Sequence, residues 1–228
     1  MYKAIRLAIP AVLIFSVGAF AADLTWVGGK DTNFLDPNNW NPVAYTVGNV
    51  LTIGAGSPNN PIFQGDTNTS RPNGLNTTTV ANFIIRRGAL YAYGNNTLNG
   101  NVILEGGYVN LRGDVYVGNG GAGVLTLNGG SFSYKNTLYI GRGAGGNGTI
   151  NVWGGSLWLT GTPVISSNGG TGKIHIKNDR FIYCPGNQVT YFNNLKTAGT
   201  LTTDPDHVII VYYNSVANNT VVTATRPI

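Results

Sequence analysis

The sequence predicts an all-β chain wound into a right-handed parallel β-helix, with three-strand coils of about 19–25 residues. Three observations predict it. Gly-Gly pairs begin at positions 106, 129 and 154, intervals of 23 and 25 residues, and a period in this range marks a solenoid. Around each pair, short segments alternate: Leu125 and Leu127 with Val124 and Thr126, Phe132 and Tyr134 with Ser131 and Ser133, Leu138 and Ile140 about Tyr139. Such alternation buries one face of a strand and wets the other. Each segment ends in Gly or Asn, which make sharp corners, and no 3.6-residue pattern is evident after Ala22. The right hand follows from the crossover preference of parallel strands.

Taken in order, residues 1–21 read as an export signal. Lys3 and Arg6 give a basic start, residues 7–20 are apolar apart from Pro10, Ser16 and Gly18, and Ala19-Phe20-Ala21 is a small-residue cleavage site. The run is shorter than the ~20 apolar residues a spanning helix needs. Cleavage after Ala21 would leave a mature chain of 207 of the 228 residues, enough for one domain. Residues 22–49 form an N-terminal cap, with Trp26 and Trp40 covering the first coil. The solenoid spans 50–200, opened by Val50-Leu51-Thr52-Ile53 and continued by Pro61-Ile62-Phe63, with a protruding polar loop at 65–76.

Inside the solenoid three inward rows are expected. They are Ile85, Leu104, Leu127, Val152 and Ile176; Leu90, Val109, Phe132, Leu157 and Phe181; and Val117, Ile140 and Ile165. Each such side chain, once buried, contributes roughly 1.5–3 kcal/mol. The Gly-Gly corners call for positive φ, and Asn178-Asp179 takes their place in the last clear coil. Residues 201–228 form a cap: the β-rich runs 208–213 and 220–225 flank 214–219 as a hairpin, covering strand edges that would otherwise stay open.

Composition narrows the function. Without Lys3 and Arg6, 12 basic and 9 acidic residues remain, a scattered net +3. Only Arg86-Arg87 and 173–180 are locally basic, which reads as a solvated surface rather than a nucleic-acid groove. The single cysteine, Cys184, permits no intrachain disulfide. The Gly-rich turns 118–123, 141–148 and 168–172 lack the GK[ST] sequence and following helix of a phosphate site. Among the acids of the clear coils, Glu105, Asp114 and Asp179 do not stack at matching positions, and Asp204 and Asp206 flank Pro205 as turn residues. The spacing of His175, His207 and Cys184 matches no zinc pattern, so no metal and no cofactor is expected.

The outward positions carry the remaining signal. Tyr116 and Tyr139 should stack on the third strands, while Tyr91, Asn110, Ser133, Trp158 and Ile182 should form a row on the second. Trp153 ends a first strand. Aromatic pairs stabilise stacked strands by roughly 0.2–1 kcal/mol. Exposed rings beside Asn and Ser also suit sugars, which makes Tyr116, Tyr139, Trp153 and Trp158 the candidate glycan-binding residues.

Leu24-Thr25-Trp26-Val27-Gly28-Gly29 with Asn39-Trp40, then Val50-Leu51-Thr52-Ile53, resembles the opening of bacterial exported β-solenoid surface proteins. These include autotransporter passengers and surface proteins with sorting tags. The Leu-Thr-Leu-Asn-Gly-Gly-Ser and Leu-Tyr-Ile-Gly segments resemble their repeats. The resemblance implies the fold and export, and supplies no catalytic residues. It implies a secreted structural or adhesive protein, extracellular or on a bacterial surface, that is not an enzyme. The alternatives are an extracellular glycan-binding module and, less favoured, a polysaccharide lyase or hydrolase. Expected partners are a cell-surface or matrix polysaccharide, or further copies of the chain. Neither nucleic acid nor, after signal cleavage, a membrane is expected. The sequence departs from the resemblance in showing no β-barrel translocator, and residues 223–228 are no apolar sorting tag, so the expectation is release, noncovalent retention or a shortened relative.

Overall fold

A strand that alternates apolar and polar residues leaves one apolar face to be covered, and stacked coils cover one another. The computed structural model describes residues 24–227 except 43–49, 55–58, 67–71, 73, 78–81 and 178. The expected export signal, residues 43–49 of the expected cap and the corner residue Asn178 therefore lie outside the described residues. The chain forms a β-solenoid of about six turns, built mainly of parallel strands. One coil runs through Ala122–Leu127, Ser131–Tyr134 and Leu138–Arg142. The third strands form an eight-stranded sheet running from Val164–Ser167 to Leu24–Trp26, closed by Trp40–Asn41 lying antiparallel. First and second strands share a thirteen-stranded sheet. They are joined because Asn82–Ala92 continues through the corner, pairing first with Asn101–Leu104 and then with Tyr108–Leu111.

The first inward row is continuous: Ile85, Leu104, Leu127, Val152 and Ile176 are successive register partners, and all are buried. Val117, Ile140 and Ile165 are also in register. The second row departs from expectation at its last member. Leu157 pairs with Ile182, not Phe181, and Ile182 is the fully buried residue. The cause is the corner. Five residues separate Leu127 from Phe132 and Val152 from Leu157, but six separate Ile176 from Ile182. In this one corner the turn takes one more residue, with Asp179 at φ 55°. A shift of one residue moves every following side chain to the opposite face. Phe181 is consequently half-buried on the outside, and Tyr183, not Ile182, continues the outward row from Trp158.

The glycine corners are tight because coils touch there. Gly130 has φ +67°, and a Cβ on it would lie 2.3 Å from the Gly107 carbonyl oxygen of the preceding coil. On Gly154 a Cβ would lie 1.8 Å from the Asn128 carbonyl oxygen.

Both ends are covered. Trp26, Phe34 and Trp40 pack with Phe63 and Phe83 into one buried aromatic plug, with Phe34 edge-on to Trp40 at 5.1 Å and stacked on Phe83 at 5.0 Å. Trp40 Nε1 donates to the Phe34 carbonyl at 2.8 Å, so its one polar atom is satisfied. The expected loop at 65–76 is shorter than the sequence indicated, since the strands Ile62–Asp66 and Gly74–Thr77 occupy both its ends. Residues 67–71 and 73 within it are outside the described set. At the far end the hairpin Val208–Asn214 and Asn219–Thr225 forms as expected, and its second strand runs antiparallel to Phe181–Pro185. A helix at Val189–Thr197 was not expected. It buries Phe192 and packs Tyr191 and Leu195 against the core, beside Leu201–Thr202 and the hairpin.

Candidate binding site on the outward aromatic rows

The period-2 rule puts Tyr116 and Tyr139 on the outer side of the third-strand sheet, and the register makes them partners. Their rings stack at 4.9 Å with 8° between planes. The Arg142 guanidinium lies over both, 5.2 Å from Tyr116 and 4.7 Å from Tyr139. Tyr116 donates its hydroxyl to Asp114 at 3.2 Å. Partial burial, then the Asp114 carboxylate, push its pKa up, so the hydroxyl stays protonated. Stacking and the cation above occupy much of this pair's surface.

Trp153 follows the first strand of its coil and is 39% exposed. The Lys177 ammonium rests 4.5 Å from its ring centre, and Arg180 Nε donates to its carbonyl at 3.2 Å. Trp158 lies on the second strand and is 44% exposed. Tyr183 stacks on it at 4.2 Å and 20°. Its partner on the other neighbouring strand is Ser133, too small to cover an indole. The structure therefore joins Tyr116 with Tyr139 and leaves Trp153 and Trp158 apart, on a corner and on another face. Tyr183 is the ring that sequence reasoning misplaced, and only the length of the 177–180 corner could have revealed it.

Trp158 and Tyr183 border a cleft of ≈ 180 Å³, together with Pro185, Asn218 and Asn219. The two amides come from the hairpin turn, where Asn218 adopts φ 48° and accepts a 2.8 Å hydrogen bond from the Tyr213 hydroxyl. Cys184 lines the cleft from below, but burial pushes its thiol up to about 11, which makes it a packing group at neutral pH. An aromatic wall facing the amide of Asn218, held by Tyr213, and that of Asn219, whose Oδ1 is buried without a hydrogen-bond partner among the described residues, offers apolar contact to one side of a ligand and polar groups to its edge.

The other chemistry-bearing residues lie elsewhere. His175 Nδ1 is 3.1 Å from Thr202 Oγ1 and Nε2 is 3.1 Å from Asp204 Oδ1, a surface bridge between two coils. His207 pairs with Asp206 at 2.7 Å, and its N–H closes the turn onto the Asp204 carbonyl at 3.0 Å. Glu105 is paired with Arg86 at 2.9 Å, and Asp114 accepts the Thr137 N–H at 3.1 Å. Among the described residues, no three His, Cys, Asp or Glu are grouped to hold a metal ion, and no helix is long and apolar enough to cross a membrane. No protein-family model, curated protein or solved structure matches the chain.

Proposed function

We propose that the chain is a secreted structural or adhesive β-solenoid of the bacterial exterior, without catalytic activity. The observation that carries this reading is the column itself. Apolar rows run through consecutive coils, and an aromatic plug at one end and a helix with a hairpin at the other cover it. At ~4.8 Å per strand, six turns make a column about 30 Å tall, stiffened by a hydrogen bond ladder along its length. Such a body presents fixed outer rows to a partner and needs no moving part. Expressed from its full sequence in a bacterium, it should leave the cytoplasm with Ala22 as its first residue. Retention in the cytoplasm with residues 1–21 intact would overturn export, and release of sugar fragments from polysaccharide would overturn the non-catalytic reading.

The Trp158–Tyr183 cleft favours a second reading within this one, contact with glycans. A pyranose ring has one apolar face and a hydroxyl rim, which suits an exposed indole beside two amides. Calorimetric titration of the purified chain with a panel of oligosaccharides tests it, and absence of heat from every glycan is the contrary result.

A further inference from the structure

A second hollow adjoins the Trp158 cleft. It measures ≈ 320 Å³ and is lined by Asn110, Arg112, Tyr134, Lys135 and Thr160. The two meet at residues 158–160, since Trp158 and Leu159 line the first and Thr160 the second. They also lie along the stacking direction, because Asn110, Ser133, Trp158 and Tyr183 are successive partners on neighbouring strands. Three strand spacings make this row about 14 Å long. A linear chain laid along it would meet one row position per strand, a spacing close to the length of one pyranose unit.

The character changes along the groove. At the Tyr183 end it is aromatic, and Trp158 keeps the ring face toward Ser133 uncovered. At the Asn110 end it is cationic. The Arg112 guanidinium is held 5.0 Å from the Tyr93 ring centre and 3.4 Å from its hydroxyl. Lys135 is exposed beside it in the same hollow. Like most lysines and arginines among the described residues, neither forms a salt bridge with a carboxylate, so both charges face the hollow uncompensated. In a chain of which only 10% is charged, two cations without a carboxylate partner in one hollow are a local concentration of positive charge.

We propose that this groove binds an acidic polysaccharide. One sugar ring stacks on Trp158, and anionic groups further along the chain, uronate carboxylates or sulfate esters, reach Arg112 and Lys135. The inference rests on the glycan reading above and adds the charge and direction of the ligand. Thr160 and Asn110 line the same hollow; with the Thr160 hydroxyl donating to the Asn136 carbonyl at 3.3 Å and the Asn110 amide to the Tyr108 hydroxyl at 2.7 Å, their side-chain oxygens are left to accept from sugar hydroxyls.

Calorimetric titration of the full chain at low and moderate salt tests it, with four probes. Oligogalacturonate supplies carboxylates, a sulfated galactan supplies sulfates, a neutral glucan oligomer supplies rings without charge, and polyphosphate supplies charge without rings. One or both acidic glycans should bind more tightly than the neutral one, and added salt should weaken them. Which of the two binds better names the anion. Trp158→Ala should weaken the acidic glycan about tenfold. Arg112→Gln and Lys135→Gln should each weaken it about two- to fivefold and flatten its salt dependence. Equal binding of neutral and acidic glycans overturns this inference and leaves the glycan reading standing. No binding by any glycan overturns both. Polyphosphate binding as well as the acidic glycans, with no loss in Trp158→Ala, reduces the groove to a nonspecific anion surface and also overturns it.

Discussion

At the scale of single residues, two glycines with similar backbone angles make opposite demands. Gly130 has φ +67° and backbone of the preceding coil within 2.3 Å of a would-be Cβ, whereas Gly120 has φ +64° and open space around it. A left-handed residue with a side chain costs roughly 1–2 kcal/mol. Gly130→Ala must also push two coils apart, so it should cost about 3 kcal/mol or more in urea unfolding. Gly120→Asn should cost under ~1 kcal/mol, because Asn tolerates this region and nothing is displaced. Equal losses at the two positions would contradict the close approach of coils at the Gly-Gly corners. Three weak acids, the buried Tyr134 and Cys184 and the half-buried Tyr191, make a second demand. Burial pushes Tyr134 and Tyr191 up to about 12, from an ordinary 10.0, and Cys184 up to about 11, from 9.0. Each is neutral when protonated, so folding favours the protonated form. The stability this contributes is fully present below the unfolded values, near 9 and 10, and is lost as pH rises through 11 to 12. Alkaline titration should show tyrosinate absorbance from these two rings appearing together with loss of β-sheet circular dichroism. Ionisation at ordinary pKa values with the fold intact would contradict their burial.

At the scale of elements, the helix Val189–Thr197 acts as a lid on the column. Its one fully buried residue is Phe192, and Phe192→Ala should cost about 3–5 kcal/mol in chemical unfolding. A loss below ~1 kcal/mol would mean the helix does not close the end. This element also marks where the sequence stops being readable. Strands declared themselves through alternation repeated coil after coil, so the row from Ile85 to Ile176 was legible without a structure. The helix occurs once, has nine residues, and carries only Tyr191, Phe192 and Leu195 on its packed side, too few to establish a period. Gln188 at its start makes no side-chain cap, which removes the usual start signal. The site was legible to the same limit. Trp158 was readable as outward, and the Tyr116–Tyr139 pair was found in full. Tyr183 was lost to one added residue in a corner that lacks glycine. Asn218 and Asn219 reach the cleft from a hairpin some sixty positions away, a proximity no local pattern encodes.

At the scale of the whole molecule, the difficulty of a parallel stack is that each end offers an open strand to the next molecule. The third-strand sheet reverses direction at Trp40–Asn41 and the second-strand row reverses at Asn219–Thr225, whereas Val164–Ser167, Leu201–Thr202 and Ile62–Asp66 end their rows in parallel pairings. Reversal at the C-terminal end also covers side chains: Val222 lies opposite Ile182 and Thr220 opposite Cys184, all buried. A chain ending after residue 200 would expose the Phe181–Pro185 edge and the apolar row beneath it. Such a chain should keep its parallel coils but associate end to end, giving a mass by light scattering that rises with concentration and short rods by electron microscopy. The full chain should stay at a lower, constant mass under the same conditions. If the shortened chain instead remains monodisperse and fully β-structured, the hairpin is an appendage and not a cap. If it loses its circular dichroism altogether, the hairpin is part of the folding core, and the column is stabilised from its C-terminal end rather than coil by coil.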